Sequence, residues 1–181
     1  FTAMPDNVDS SLRILGDEYP IVIKMLNSTQ GQGVILGESH SASLSVAEAF
    51  IRLKEEILLQ RFIGESKGKD VRVFIVGGQV IAAMERSAQN GEFRSNLHRG
   101  ASSHKIRITS EEEEIALRAA QLMGLEVAGV DILRSNTGPL ILEVNASPGL
   151  EGIEGTTGVD IASQIIRFVE TNAKPVPAKV V

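Results

Sequence analysis

The chain has no cysteine. That excludes a disulfide framework, a thiolate metal site and a cysteine nucleophile. No apolar run approaches the roughly 20 residues that cross a bilayer, and no signal peptide is legible ahead of the first apolar segment. The expectation is a cytoplasmic protein with no membrane partner. An excess of basic charge is missing too: Lys and Arg number 18 against 23 Asp and Glu, a net charge of −5. This argues against direct nucleic-acid binding held mainly by phosphate contacts. What is present is 181 residues, 43% apolar and 23% charged. That composition is globular, and the length suffices for one ordinary domain with a core. No internal repeat is visible.

The pattern of elements is mixed. A short helix is expected over residues 8–15, then a β-branched strand at 20–26, a polar loop at 27–33 and a strand at 34–38. Ser45 and Glu48 have capping-box spacing and predict a helix running to residue 54. Residues 57–63 form a short apolar strand. Residues 71–76 and 79–86 flank Gly77-Gly78, a strong hairpin signal. Residues 87–104 are a long polar loop without periodicity, a length usually tied to function. A second capping box, Ser110 and Glu113, opens a helix with apolar Ile115, Leu117, Ala119, Leu122 and Met123. The run Glu111–Glu114 then marks a helix start, where negative charge suits the dipole, rather than a metal site. A hairpin over 126–145, a Gly/Ser/Pro loop over 146–157, a final helix over 159–172 and a loose tail complete the reading. Hairpins alternate with helices, so the expected class is α+β with two largely antiparallel sheets and flanking helices.

Chemistry concentrates at three places. Asp131, Glu143 and Asn145 lie on the last hairpin, and Glu143 and Asn145, two apart, share a face. If Asn136-Thr137-Gly138 is a three-residue turn, Asp131 falls opposite Glu143; a two- or four-residue turn puts it on the other face. Two carboxylates and an amide so placed suit magnesium, and the like charges repel unless a cation neutralises them. The bland alternative is two solvated acids on an edge strand. Lys24 stands alone in an apolar strand and needs a partner or a ligand. It leads into Gln30-Gly-Gln-Gly33, a loop whose glycines let backbone amides approach phosphate, or which is a plain hairpin turn. Arg86, Arg94, His98 and Arg99, with Ser95 and Asn96, crowd the long loop, which suggests an anionic ligand or is a solvated loop with scattered cations. The Walker and dinucleotide patterns are absent. Gly64-Glu-Ser66-Lys-Gly68 matches G-x-S-x-G, but a strand follows it where a helix is needed, so serine hydrolysis is not expected.

Together these features resemble the ATP-grasp family of ligases, and within it the RimK-type ribosomal-protein glutamate ligases. The strings that carry the likeness are Phe93-Arg-Ser-Asn-Leu-His-Arg-Gly100, Val127-Ala-Gly-Val-Asp-Ile-Leu133 and Leu142-Glu-Val-Asn-Ala-Ser-Pro-Gly-Leu-Glu-Gly152. The resemblance implies that ATP lies between the two sheets. Residues 1–63 would form a nucleotide-covering subdomain and 64–174 a metal-binding and catalytic one, with 175–181 as the tail. Lys24 would hold the α- and β-phosphates, and Gln30, Gly31 and Gly33 would cover them. Gln60, Arg61 and Phe62 would form the adenine hinge through backbone groups; the family often has an acid where Arg61 stands. Asp70 would reach the ribose or a neighbouring polar group. Arg94, Ser95 and Asn96 would meet phosphate and the reacting acyl group, with Arg86, Arg94 and Asn96 as catalytic residues. Asp131, Glu143 and Asn145 would carry two magnesium ions, or manganese. The implied reaction joins glutamate to a protein C-terminus through an acyl phosphate, in a homo-oligomer when full length. Alternatives are a nucleotide-binding module that does not ligate and a ligase with a small-molecule acceptor. Family members carry a further N-terminal region, so the chain reads as the C-terminal portion.

Overall fold

The structure is a computed structural model, described here for residues 2–3, 7–28, 31–89, 92–97 and 100–173. Gln30, His98, Arg99 and the expected tail lie outside the described residues. The chain divides into two compact units, residues 1–64 and 65–181.

In the first unit, strands β1 (Thr2–Ala3), β2 (Ile21–Met25), β3 (Val34–Gly37) and β4 (Ile57–Arg61) form one antiparallel sheet in the order β1-β4-β2-β3. Ile21, Ile23, Ile57 and Leu59 alternate toward one face, as period two requires. There they bury against Val8 and Leu12 of helix α1 (Val8–Ile14) and Ala47 of helix α2 (His40–Arg52). Helix α2 opens five residues before the expected capping box. Ser39 is the N-cap, its hydroxyl accepting from Ala42 N at 3.3 Å, and Ser45 sits inside the helix donating to the Ser41 carbonyl. Four serines at alternate positions, 39 to 45, offer several caps; packing of Ala47 selects the earliest.

The second unit holds a five-stranded antiparallel sheet in the order β7-β6-β5-β8-β9. Strands β5 (Lys69–Val76) and β6 (Gln79–Ser87) turn at Gly77-Gly78, both left-handed, which a primed two-residue turn demands. One face packs on helix α3 (Ser110–Leu122) through Val71, Val73, Val130, Ala116 and Ala120. The other packs Phe74, Ala82 and Met84 on helices α4 (Glu151–Thr157) and α5 (Ile161–Asn172) through Ile153 and Ile161. Three expectations shift. The long loop ends in strand β7 (Ser102–Lys105), which backbone pairing to β6 creates without apolar residues. The capping box of α3 is Thr109 with Glu112, one residue earlier than expected, because Thr109 is the residue with extended backbone. Residues 151–157, expected as loop, form α4; burying Ile153 outweighs the helix cost of Gly152 and Gly155.

Candidate active site

The site is built on the last hairpin, strands β8 (Val127–Ser135) and β9 (Gly138–Asn145). The turn between them has two residues, not three, with Ser135 opposite Gly138. By itself that register would send Asp131 away from Glu143. A bulge restores it: Ile132 pairs Ile141 but Asp131 pairs Glu143, leaving Leu142 as the extra residue. Gly129 pairs Asn145, so all three expected ligands share one face. Gly129 also lets the following segment close in, since a side chain there would meet Pro148 at 2.7 Å.

On the same face β5 and β6 add Asp70, Arg72 and Arg86, with Arg72 opposite Asp131 and Asp70 opposite Arg86. Arg86 donates to both Asp70 oxygens at 2.6 and 2.7 Å and to Asp131 Oδ2 at 2.8 Å. Arg72 donates through Nε to Asp131 Oδ1 and through Nη2 to Oδ2 at 2.7 Å. The Ser95 hydroxyl donates to Asp70. Asp70, Arg86, Ser95 and Asp131 are all buried, while Glu143 is exposed. The guanidiniums of Arg72 and Arg86 supply positive charge to Asp131 from within the sheet. Burial pushes the Asp131 carboxyl up, but the two guanidiniums outweigh it and hold the group below the usual carboxylate range. For Asp70 burial wins over Arg86 and Ser95, and its value is raised. Arg86 stays protonated: burial opposes its charge, and the two carboxylates more than offset that.

Among the described residues no three His, Cys, Asp or Glu side chains converge as a metal site. The expected set has only two acids, completed by an amide. The Asn145 side chain reaches Glu143 Oε1 at 3.2 Å, so those two are in contact. Hard oxygens on one face, one of them exposed, fit a magnesium ion that keeps water and phosphate in its remaining positions.

Arg94 is clamped by Glu92, Nε to Oε1 at 2.9 Å and Nη2 to Oε2 at 2.6 Å. Arg94 in turn drives the Glu92 carboxyl down to about 2. Asn96 is half-buried beside Leu97, which docks so closely on Gly152 that a side chain there would meet it at 2.6 Å. In the first unit, Lys24 lies half-buried between Val34 and Leu58, on the sheet face away from the helices. Gln60, opposite Val22, shares that face. Gly31 and Gly33 are left-handed. Arg61 turns its side chain to the Leu15 carbonyl and Glu18. Phe62 is half-buried just past β4.

Arg72 is the residue that sequence reasoning missed. Its signal was the one used for Lys24, a charge embedded in an apolar strand, Val71-Arg-Val-Phe-Ile-Val76.

The fold is shared with solved ATP-grasp ligases. The ATP-grasp ligase PsnB, complexed with a phosphomimetic variant of minimal precursor, magnesium and ADP, superposes with a TM-score of 0.70 at 23% identity, over 96% of this chain and 53% of that one. D-alanine–D-alanine ligase from Bacillus anthracis gives 0.69 at 17% identity, over 94% and 60%. The chain belongs to the RimK-like ATP-grasp domain family, whose model matches residues 3–169. A protein of Nitrosococcus oceani named "Probable alpha-L-glutamate ligase" is 58% identical over 173 residues, 96% of this chain and 57% of that protein. The chain thus spans a little over half the length of this relative.

Proposed function

We propose that this chain is the nucleotide- and metal-binding part of an ATP-dependent ligase that joins glutamate to the C-terminus of a ribosomal protein through an acyl phosphate. The observation that carries it is the register of β8 and β9, which sets Asp131 opposite Glu143 with Asn145 beside it. Asp131, Glu143 and Asn145 would hold one or two magnesium ions, which supply charge screening for a transferring phosphoryl group. The PsnB complex with magnesium and ADP supports this nucleotide and metal class. Lys24 would hold phosphate, and the glycines Gly31 and Gly33 would let backbone amides approach it. Backbone groups at Gln60, Arg61 and Phe62 bind the base, and Asp70 orients the ribose or a neighbouring group. Arg86, Arg94, Ser95 and Asn96 orient and screen the phosphoryl and acyl groups. No side-chain nucleophile is needed, because the phosphoryl group converts a poor carboxylate electrophile into one that an amine attacks. The protein works in the cytoplasm, as a homo-oligomer at full length.

The test incubates a full-length protein containing this chain with magnesium-ATP, labelled glutamate and purified ribosomal proteins. Label is expected on one of them. Asp131→Asn or Glu143→Gln should lower ATP-dependent amide formation at least about a hundredfold, the size of one lost transition-state charge contact. Label confined to a small molecule would transfer the proposal to a small-molecule acceptor. The alternative is a nucleotide-binding module that does not ligate. Magnesium-dependent ATP binding without phosphate release, glutamate present, would establish it.

A further inference from the structure

Two guanidiniums serve Asp131, and they are held differently. Arg86 also grips both oxygens of Asp70, a second buried carboxylate, and its side chain is 8% exposed. Among the described residues Arg72 spends its side-chain hydrogen bonds on Asp131 alone, and its side chain is 13% exposed. Between them both Asp131 oxygens are engaged: Oδ1 by Arg72, Oδ2 by Arg72 and Arg86. A divalent cation ligated by Asp131 competes with these donors for the same lone pairs. Losing its one bond to Asp131 would leave Arg86 held in place by both oxygens of Asp70. Displacing Arg72 strands nothing but Arg72, which already reaches the surface on the face that carries Glu143.

The geometry points to Arg72 as an exchangeable counter-ion of Asp131, one that a divalent cation displaces and whose guanidinium fork then passes to the anionic group arriving with the cation. The inference rests on the reading of Asp131 as a cation ligand. It makes cation and anion binding mutually dependent. A cation alone must leave Arg72 without a carboxylate; a cation with a phosphate gives Arg72 a new bidentate acceptor. Each ligand therefore tightens the other, without any movement of the sheet. Arg72 is thereby a positioning residue: it holds the Asp131 carboxylate in one orientation until the cation takes over.

Manganese binding to the whole chain, followed by the paramagnetic resonance of the free ion without nucleotide, tests the exchange. Arg72→Lys and Arg72→Gln should both bind the ion about tenfold more tightly, an ordinary coupling, because neither reproduces the two-point grip. If only Arg72→Gln tightens, local charge alone acts and the exchange is overturned; no change in either variant overturns it too. The unsubstituted chain supplies a second readout. On adding magnesium, the Nε–Hε nuclear resonance of Arg72 should shift while that of Arg86 stays. Both staying, or Arg86 moving instead, rejects the proposal. Asp131→Asn separates this from the ligase reading. Wild-type manganese affinity in Asp131→Asn would remove the metal assignment itself; lost affinity there, with wild-type affinity in both Arg72 variants, would remove only the exchange.

Discussion

On the α3 face of the five-stranded sheet, Arg134 bridges Glu112 and Glu85, and Lys69 joins Glu85. On the opposite face Arg86 and Arg72 bridge Asp70 and Asp131. The inventory is nearly the same, and the surroundings are not. Arg134 and Lys69 are 45% and 53% exposed, so their pairs with the buried acids Glu112 and Glu85 are screened from the cation side and contribute little beyond the helix cap that Arg134 supports through Glu112. The other quartet is nearly dry, where each charge depends on the rest. Ion pairs in the first setting tie a helix to a sheet. In the second they hold acidic oxygens in fixed positions beside exposed Glu143, at a cost in desolvation that stability alone would not favour.

Substitutions that treat the two faces alike should give unlike results. Arg86→Ala strands two buried carboxylates and should lower unfolding free energy by about 3–5 kcal/mol in urea titrations, abolishing nucleotide turnover with it. A loss near 1 kcal/mol would mean that water reaches the quartet and the contrast is false. Asp131→Asn keeps the shape but leaves Arg72 without a carboxylate, so it should cost stability as well as lower turnover at least about a hundredfold. Glu112→Ala, on the α3 face, removes the capping box and one partner of Arg134. It should cost about 1–2 kcal/mol of stability and leave turnover unchanged. A drop in turnover would show that the α3 face also shapes the site. The smallest effect is expected at Glu92. Its carboxyl is brought down from 4.5 to about 2 by Arg94, so its stabilisation is complete above 4.5 and is lost as pH falls toward 2. Glu92→Gln should flatten that acid limb by less than about 1 kcal/mol, since the pair is partly solvated.

The hairpin at Gly77-Gly78 was legible because two adjacent glycines permit a turn that few other residues adopt. The acidic start of α3 was legible for an equally local reason, though its cap was displaced by one residue. Strand β7 was not legible: Ser102-Ser-His-Lys105 carries no apolar period, and only the free edge of β6 makes it a strand. Helix α4 was hidden by its glycines. At the candidate site, the identities of Asp131, Glu143 and Asn145 could be read directly, but their juxtaposition depends on a short turn and a bulge whose offsets cancel. Neither offset has a local signature. The partnership of Arg72 and Arg86 with Asp131 joins residues 59 and 45 positions apart, beyond any spacing rule.

By itself the sequence determined the class of fold, most strands and helices, and which side chains carry chemistry, because period, turn residues and buried charge are properties of neighbours along the chain. Tertiary structure alone decided strand order, the face on which Asp131 lies and the counter-ions it receives. Those depend on hydrogen-bond register between distant strands, where a one-residue slip turns every side chain to the opposite side.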